Sequence, residues 1–320
     1  MTLNTLGACK IGLIWAATQI LRHLMMDNEG NTRMEKGKKL RKALAGKGLV
    51  TAPGVYDMIS ARIADGMGFS ALYMTGYGVS ASLGLPDAGL VSYTEMVERV
   101  AQICQGTSTP VVCDGDTGFG GLLNVERTVQ GYERAGAAGI QLEDQVFPKK
   151  CGHTPGRRVV PIEQMVRKIE VAAASRSSAD FLIVARTDAR TNHGLDEALR
   201  RGEAFAKAGA DILFIESPES EEEMARIGRS FDLPLIANMV EGGRTPVLPR
   251  KRLEELGYRM AIYPGTGFLA VAQALERVYG VLKETGSTDT LEDELYSFDK
   301  FCRLVGFEHV WEFDKLWPET

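Results

Sequence analysis

The sequence predicts an α/β protein folded as a (β/α)8 barrel of the TIM type. Three observations carry that prediction. Eight short, nearly continuous apolar runs occur between residues 49 and 265, the pattern of parallel strands buried on both faces. Amphipathic stretches separate them and often close on a glycine suited to a left-handed helix cap. No GxGxxG follows the first run, which lowers the rival doubly wound sheet.

In order, the strand candidates are LVTAPG (49–54), ALYMTG (71–76), PVVCDGD (110–116) and GIQLEDQ (139–145), followed by FLIVARTD (181–188), DILFIES (211–217), PLIANMVEG (234–242) and MAIYPG (260–265). YTEMVERVAQIC (93–104) and LDEALRRGEAFAKAGA (195–210) are representative helices. MGF at 67–69, AGAAG at 135–139 and AGAD at 208–211 mark helix ends. Residues 37–284 are assigned to the barrel and 1–36 to an N-terminal extension. Residues 285–320 form a helical segment whose Leu295, Phe298, Phe301, Val310, Trp311, Phe313 and Trp317 are expected to pack on the barrel or on a neighbouring subunit.

Composition narrows the function class. The 320 residues are 44% hydrophobic and 25% charged, with a net charge of −5 and dispersed basic residues. A nucleic-acid partner is not expected, because such binders carry a basic face. The apolar run IGLIWAATQIL (11–21) is too short to span a bilayer and lacks a clear signal-peptide cleavage site. No membrane partner is expected. Five widely spaced cysteines without a CxxC pair argue against a zinc site or disulfide framework and fit a reducing, cytoplasmic setting. Cys104 and Cys113 lie in apolar runs and read as small buried hydrophobes.

Polar residues gather where a barrel does its chemistry, at the C-terminal strand ends. The second run ends in Tyr73, Thr75, Gly76 and Tyr77, with Asp87 in the loop beyond; the third ends in Asp114 and Asp116, the fourth in Glu143 and Asp144. Arg186, Thr187 and Asp188 end the fifth, Glu216 the sixth, Asn238 and Glu241 the seventh. One such end is an ordinary solvated terminus; six in succession are not. Asp114 and Asp116, two apart, are expected on one side of their strand. With Asp87 and Glu143 they offer an all-oxygen cluster suited to a hard divalent cation. EGGRTP (241–246) and PGTGF (264–268) read equally as phosphate loops or tight turns. No GxSxG elbow supports a serine nucleophile. Cys151 lies among Lys149, Lys150, His153, Arg157 and Arg158. Positive neighbours lower a thiol's pKa, so it reads either as a reactive thiol or as part of a solvated loop.

DGDTGFGG (114–121), EDQVFPKKCGH (143–153) and ARTDA (185–189) resemble the isocitrate lyase/phosphoenolpyruvate mutase superfamily, and the resemblance runs from about residue 40 to 290. It implies a barrel whose C-terminal helices are exchanged between paired subunits, a homotetramer, and Mg²⁺ at the strand ends with Mn²⁺ as a possible substitute. The KKCGH segment resembles a gating loop over a small α-keto or α-hydroxy acid. On the matching positions, Asp87, Asp114, Asp116 and Glu143 resemble the metal shell. Tyr73, Thr75, Gly76 and Tyr77 resemble the pocket for a pyruvate-like half, Tyr73 also being the candidate base. Arg186 looks like the anchor of a substrate oxyanion or carboxylate, and Glu216 and Asn238 like the opposite wall. Lys149, Gly152 and His153 flank Cys151, which resembles the general acid of the carbon–carbon lyases.

Val240, Gly242 and Leu269 stand where the resemblance places a threonine, a phenylalanine and an arginine in 2-methylisocitrate lyases. The resemblance therefore implies the 2,3-dimethylmalate lyase and petal death protein branch, with an alkylmalate dicarboxylate as substrate and methylisocitrate as the runner-up. Pro264 stands where oxaloacetate hydrolases of the group tend to carry serine.

Overall fold

In a computed structural model, which describes residues 35–318, the barrel is observed. Helix α1 covers 35–45. Then follow β1 (Val50–Val55), α2 (Met58–Gly66), β2 (Leu72–Met74), α3 (Gly76–Ser82), α4 (Tyr93–Gln105), β3 (Val111–Asp114), α5 (Leu122–Ala135), β4 (Gly139–Glu143) and α6 (Ile162–Ser175). The second half comprises β5 (Leu182–Thr187), α7 (Arg190–Lys207), β6 (Ile212–Ile215), α8 (Glu221–Gly228), β7 (Ile236–Asn238), α9 (Arg250–Glu255), β8 (Met260–Tyr263) and α10 (Thr266–Thr285). Helices α11 (Phe298–Val305) and α12 (Phe307–Leu316) end the described chain. The strands run in the order β6-β5-β4-β3-β2-β1-β8-β7, and a parallel bridge between Leu213 and Leu235 joins the two edges.

Strand alternation explains the continuous apolar runs. Val112, Leu182, Val184, Ile212, Phe214, Ile236, Met260 and Ile262 fill the barrel interior. Their neighbours Val111, Cys113, Ile183, Ala185, Leu213 and Ala261 face the helices. Period two on a sheet covered on both sides favours apolar residues at nearly every strand position. Cys104 and Cys113 are both buried, as expected. The helix ends also follow the sequence: Asp57 and Ser92 close capping boxes on α2 and α4. Gly136 takes the left-handed cap of α5 at φ 102°.

The C-terminal helices differ from the rest. Helix α10 has no buried residue in the single chain. Phe298, Trp311, Phe313 and Trp317 are 82%, 40%, 52% and 69% exposed, while α11 touches α2 through Arg62, which donates to Leu304 O at 2.8 Å. The apolar run at 11–21 lies outside the described residues.

Candidate active site

The alternation that fills the barrel also selects which side chains enter its mouth. Continuing the inward set by two residues leads from Val112 to Asp114, from Val184 to Arg186, from Phe214 to Glu216, and from Ile236 to Asn238. These residues line a cavity of about 220 Å³ with Tyr73, Thr75, Tyr77, Asp87, Pro264 and the segment Lys149–Thr154. Asp116, Glu143 and Gly76 do not line it directly. Gly76 stands behind Asp114, where an added Cβ would lie 2.6 Å from Asp114 Oδ2.

The four predicted metal-shell acids fall into two groups. Asp114 accepts hydrogen bonds from Gly76 N (3.3 Å), Gln141 Nε2 (3.3 Å) and Asp116 N (3.1 Å). Asp116 lies beyond β3 with φ 48°, so a left-handed turn, not strand alternation, brings the two aspartates together. The ammonium of Lys149, 4% exposed, lies between Asp87 and Asp116, 2.7 Å from Asp116 Oδ1. Desolvation raises the Asp116 carboxyl to about 6 against the opposing pull of Lys149. Burial pushes Glu143 well above the carboxylate range although Arg186 Nε is 3.4 Å away.

A cation fits this donor set chemically. Glu143 Oε1 is buried without a hydrogen-bond partner and Asp116 Oδ1 has only the Lys149 ammonium beside it; hard divalent ions take such oxygens. Among the described residues, no group of three or more histidine, cysteine or acidic side chains already converges as a cage. Lys149 supplies the positive charge there instead.

Two expectations from the sequence change. Tyr73 is buried, and its hydroxyl donates to Gln141 Oε1 at 2.9 Å. Burial, reinforced by Asp114, raises its pKa well above that of an ordinary phenol, and its one proton is engaged by Gln141. The Cys151 thiol is not lowered by its basic neighbours. Burial raises its pKa, with Asp87 adding to the effect, because Lys149 is engaged by Asp87 and Asp116 and Arg157 by Asp188. A thiol kept protonated is a proton donor, not a ready nucleophile.

The segment 145–159 forms a lid seated on the mouth. Its base is a two-stranded bridge between Gln145 and Val159. Cys151 N donates to Asp87 O at 3.1 Å and Ser217 Oγ to Gly152 O at 3.0 Å. An added Cβ on Gly152 would strike Arg186 Nη2 and lie 2.9 Å from Glu216 Oε2. His153 Nε2 is 3.3 Å from Asn238 Nδ2, and its Nδ1 accepts from Arg244 N at 3.2 Å. Desolvation, the leading cause, lowers its pKa, so the ring is neutral and latches the lid.

Arg186 lies over the Phe214 ring at 5.1 Å and is flanked by Glu143, Asp188 and Glu216. Gln141, Ser217, Arg157 and Phe268 were not picked out as site residues from the sequence. The inward parity shared with Glu143 marks Gln141. Phe268 reaches the cavity only through the fold, its ring tilted 47° to that of Tyr77 with centroids 5.1 Å apart.

Residues 40–282 match the family described as phosphoenolpyruvate phosphomutase. A 2,3-dimethylmalate lyase of Eubacterium barkeri is 50% identical over 280 residues, covering 87% of this chain and 97% of the relative. A 2-methylisocitrate lyase of Aeropyrum pernix is 44% identical over 85% of this chain and 87% of its own. Among solved structures, a phosphonopyruvate hydrolase with oxalate and Mg²⁺ superposes with a TM-score of 0.81 at 30% identity, covering 89% of this chain and 99% of that one. The chain belongs to the phosphoenolpyruvate phosphomutase family, within the isocitrate lyase/phosphoenolpyruvate mutase superfamily.

Proposed function

We propose that the protein is a carbon–carbon lyase that cleaves 2,3-dimethylmalate, or a closely related alkylmalate, to pyruvate and propionate. The observation that carries this is the Cys151 thiol, held by a lid over a pocket that also contains Arg186. The identity to a 2,3-dimethylmalate lyase supports the substrate.

The substrate carboxylates are anchored by Arg186 and by the donors at the end of β2. Tyr73, its single proton engaged by Gln141 Oε1, lines the pocket beside the C2 oxygen. The hydroxyl proton passes to Glu216, a carboxylate that lines the cavity and is not one of the four metal-shell acids. The C2–C3 bond breaks, its electron pair remaining on C3 as a carboxylate-stabilised carbanion, and C2 becomes the pyruvate carbonyl. Cys151 gives its proton to that carbon while the lid excludes water. Mg²⁺, or Mn²⁺ in its place, held by Asp87, Asp114, Asp116 and Glu143, would acidify the hydroxyl.

Methylisocitrate is the second reading, favoured by the 44% identical relative. Against it stands the outer wall of the cavity, formed by Val240, Phe268 and Leu269. A third carboxylate there would lose water without gaining a cation, which is unfavourable.

Three further assignments belong to this proposal. The exposed apolar faces of α10 to α12 are covered by exchange with a second copy, two such dimers forming a tetramer. A cytoplasmic location fits the thiols, since Cys104, Cys113, Cys151 and Cys302 are all free. Among the described residues no helix is long and apolar enough to cross a membrane. Pyruvate release from 2,3-dimethylmalate with Mg²⁺, abolished by a chelator and restored by excess metal, tests the reading. Absence of pyruvate with metal and an intact fold overturns it.

A further inference from the structure

Arg157 lies past the catalytic part of the lid and takes no part in the chemistry described so far. Its side chain is 1% exposed and that of Asp188 is fully buried. Arg157 Nη1 donates to Asp188 Oδ1 at 2.7 Å. The same oxygen accepts from Arg186 Nη2 at 3.0 Å, and Asp188 Oδ2 accepts from Arg186 Nε at 2.9 Å. Asp188 is thus shared between an arginine of the lid and the arginine of the pocket.

Surrounding bonds fix this shared carboxylate. Asp188 N donates to Asp144 Oδ1 at 2.9 Å, and Arg201 Nη1 holds Asp144 Oδ2 at 2.8 Å. Arg157 Nη2 donates to Thr191 Oγ1 at 2.6 Å, and Asn192 Nδ2 donates to Arg157 O. The lid is therefore anchored to the start of α7 at the residue that touches Asp188.

We propose that Arg157 is a positioning residue, which couples closure of the lid to the aim of Arg186 through Asp188. Arg186 has three buried carboxylates beside it: Asp188, with Glu143 and Glu216 each 3.4 Å away. With Arg157 in place, two cations serve three acids, and the bidentate pair with Asp188 sets the plane of the Arg186 guanidinium. Without Arg157, one cation serves three buried acids, and Glu143 and Glu216 compete for it. Charge pairs of this kind, when desolvated, depend strongly on every partner. Lysine cannot replace the guanidinium, because a point charge does not reach Asp188 and Thr191 together with fixed geometry.

The inference rests on the assignment of Arg186 to substrate binding, and its test separates the two. Wild type, Arg157→Lys and Arg157→Ala are compared in pyruvate release from 2,3-dimethylmalate with Mg²⁺. A second measurement follows alkylation of Cys151 by iodoacetamide with and without oxalate and Mg²⁺, which reports closure independently of turnover. Both variants are expected to lose about 10²-fold in kcat/KM and the protection of Cys151 by oxalate. Added guanidinium ion is expected to restore part of both in Arg157→Ala. If Arg157→Ala does not fold, Arg157→Lys decides. A variant that melts lower but keeps kcat/KM within threefold and retains protection makes Arg157 a structural anchor only, and overturns the inference. Wild-type protein that releases no pyruvate, yet shows Arg157-dependent protection, overturns the lyase assignment and leaves the coupling standing.

Discussion

Replacing Cys151 by serine removes one proton donor and little else. The backbone contact from Cys151 N to Asp87 O, 3.1 Å, does not involve the side chain. The lid's other attachments run through Lys149, Gly152, His153 and Arg157. Folding and lid closure should therefore survive, and KM should change little. What changes is acidity: a serine hydroxyl is a far weaker acid than a thiol, and general-acid catalysis contributes about 10²–10⁴-fold. At about 1.36 kcal/mol per decade, that loss raises the barrier by roughly 2.7–5.5 kcal/mol. The assay couples pyruvate to NADH oxidation while propionate is followed by NMR in D₂O. In wild type each propionate should acquire one deuterium at C2. The variant should turn over at least 10²-fold more slowly with an unchanged melting temperature. Turnover within threefold of wild type would refute the assignment of Cys151 as donor.

Three other outcomes follow from the same geometry. The donor form of Cys151 is the protonated one and burial raises its pKa, so activity should hold through neutral pH. On the alkaline side it should fall as pH rises through that raised value, above the ordinary thiol range; a fall linked to the thiol below that range would contradict this. Gly152→Ala should lower kcat by at least about 10-fold, because misplacing catalytic groups is costly. The new Cβ meets Arg186 and Glu216 only when the lid is down, so the melting temperature should change little, and a normal kcat would show that the lid closes otherwise. Leu269→Arg, on an exposed position of the cavity wall, should weaken 2,3-dimethylmalate turnover and raise that of 2-methylisocitrate. A charged hydrogen bond of about 1.5–3 kcal/mol corresponds to roughly 10–150-fold, readable from steady-state kinetics with both substrates.

Much of this was legible in the sequence because parallel strands obey a simple periodicity. All eight apolar runs became strands, and the inward parity carries Asp114, Glu143, Arg186, Glu216 and Asn238 to the barrel mouth. Partnership was not legible. That Lys149 lies between Asp87 and Asp116, or that Arg157 shares Asp188 with Arg186, depends on where the lid folds back. Electrostatic direction was misread for the same reason. The cations near Cys151 in sequence are consumed by acids in space, so burial decides its pKa. For Asp116, strand alternation gave the right neighbour for the wrong reason, since its φ of 48° takes it off the strand. A single copy leaves the apolar faces of α10 to α12 exposed.

The central claim is that this pocket accepts an alkyl-substituted dicarboxylate and splits it at C2–C3. The direct measurement is kcat/KM for 2,3-dimethylmalate and for 2-methylisocitrate with Mg²⁺, with the second product identified as propionate or succinate. The wall of Val240, Phe268 and Leu269 predicts propionate and a preference for dimethylmalate of about 10²-fold or more, given the desolvation of an unpaired carboxylate. Succinate formed faster than propionate, or no pyruvate from either substrate, would contradict it.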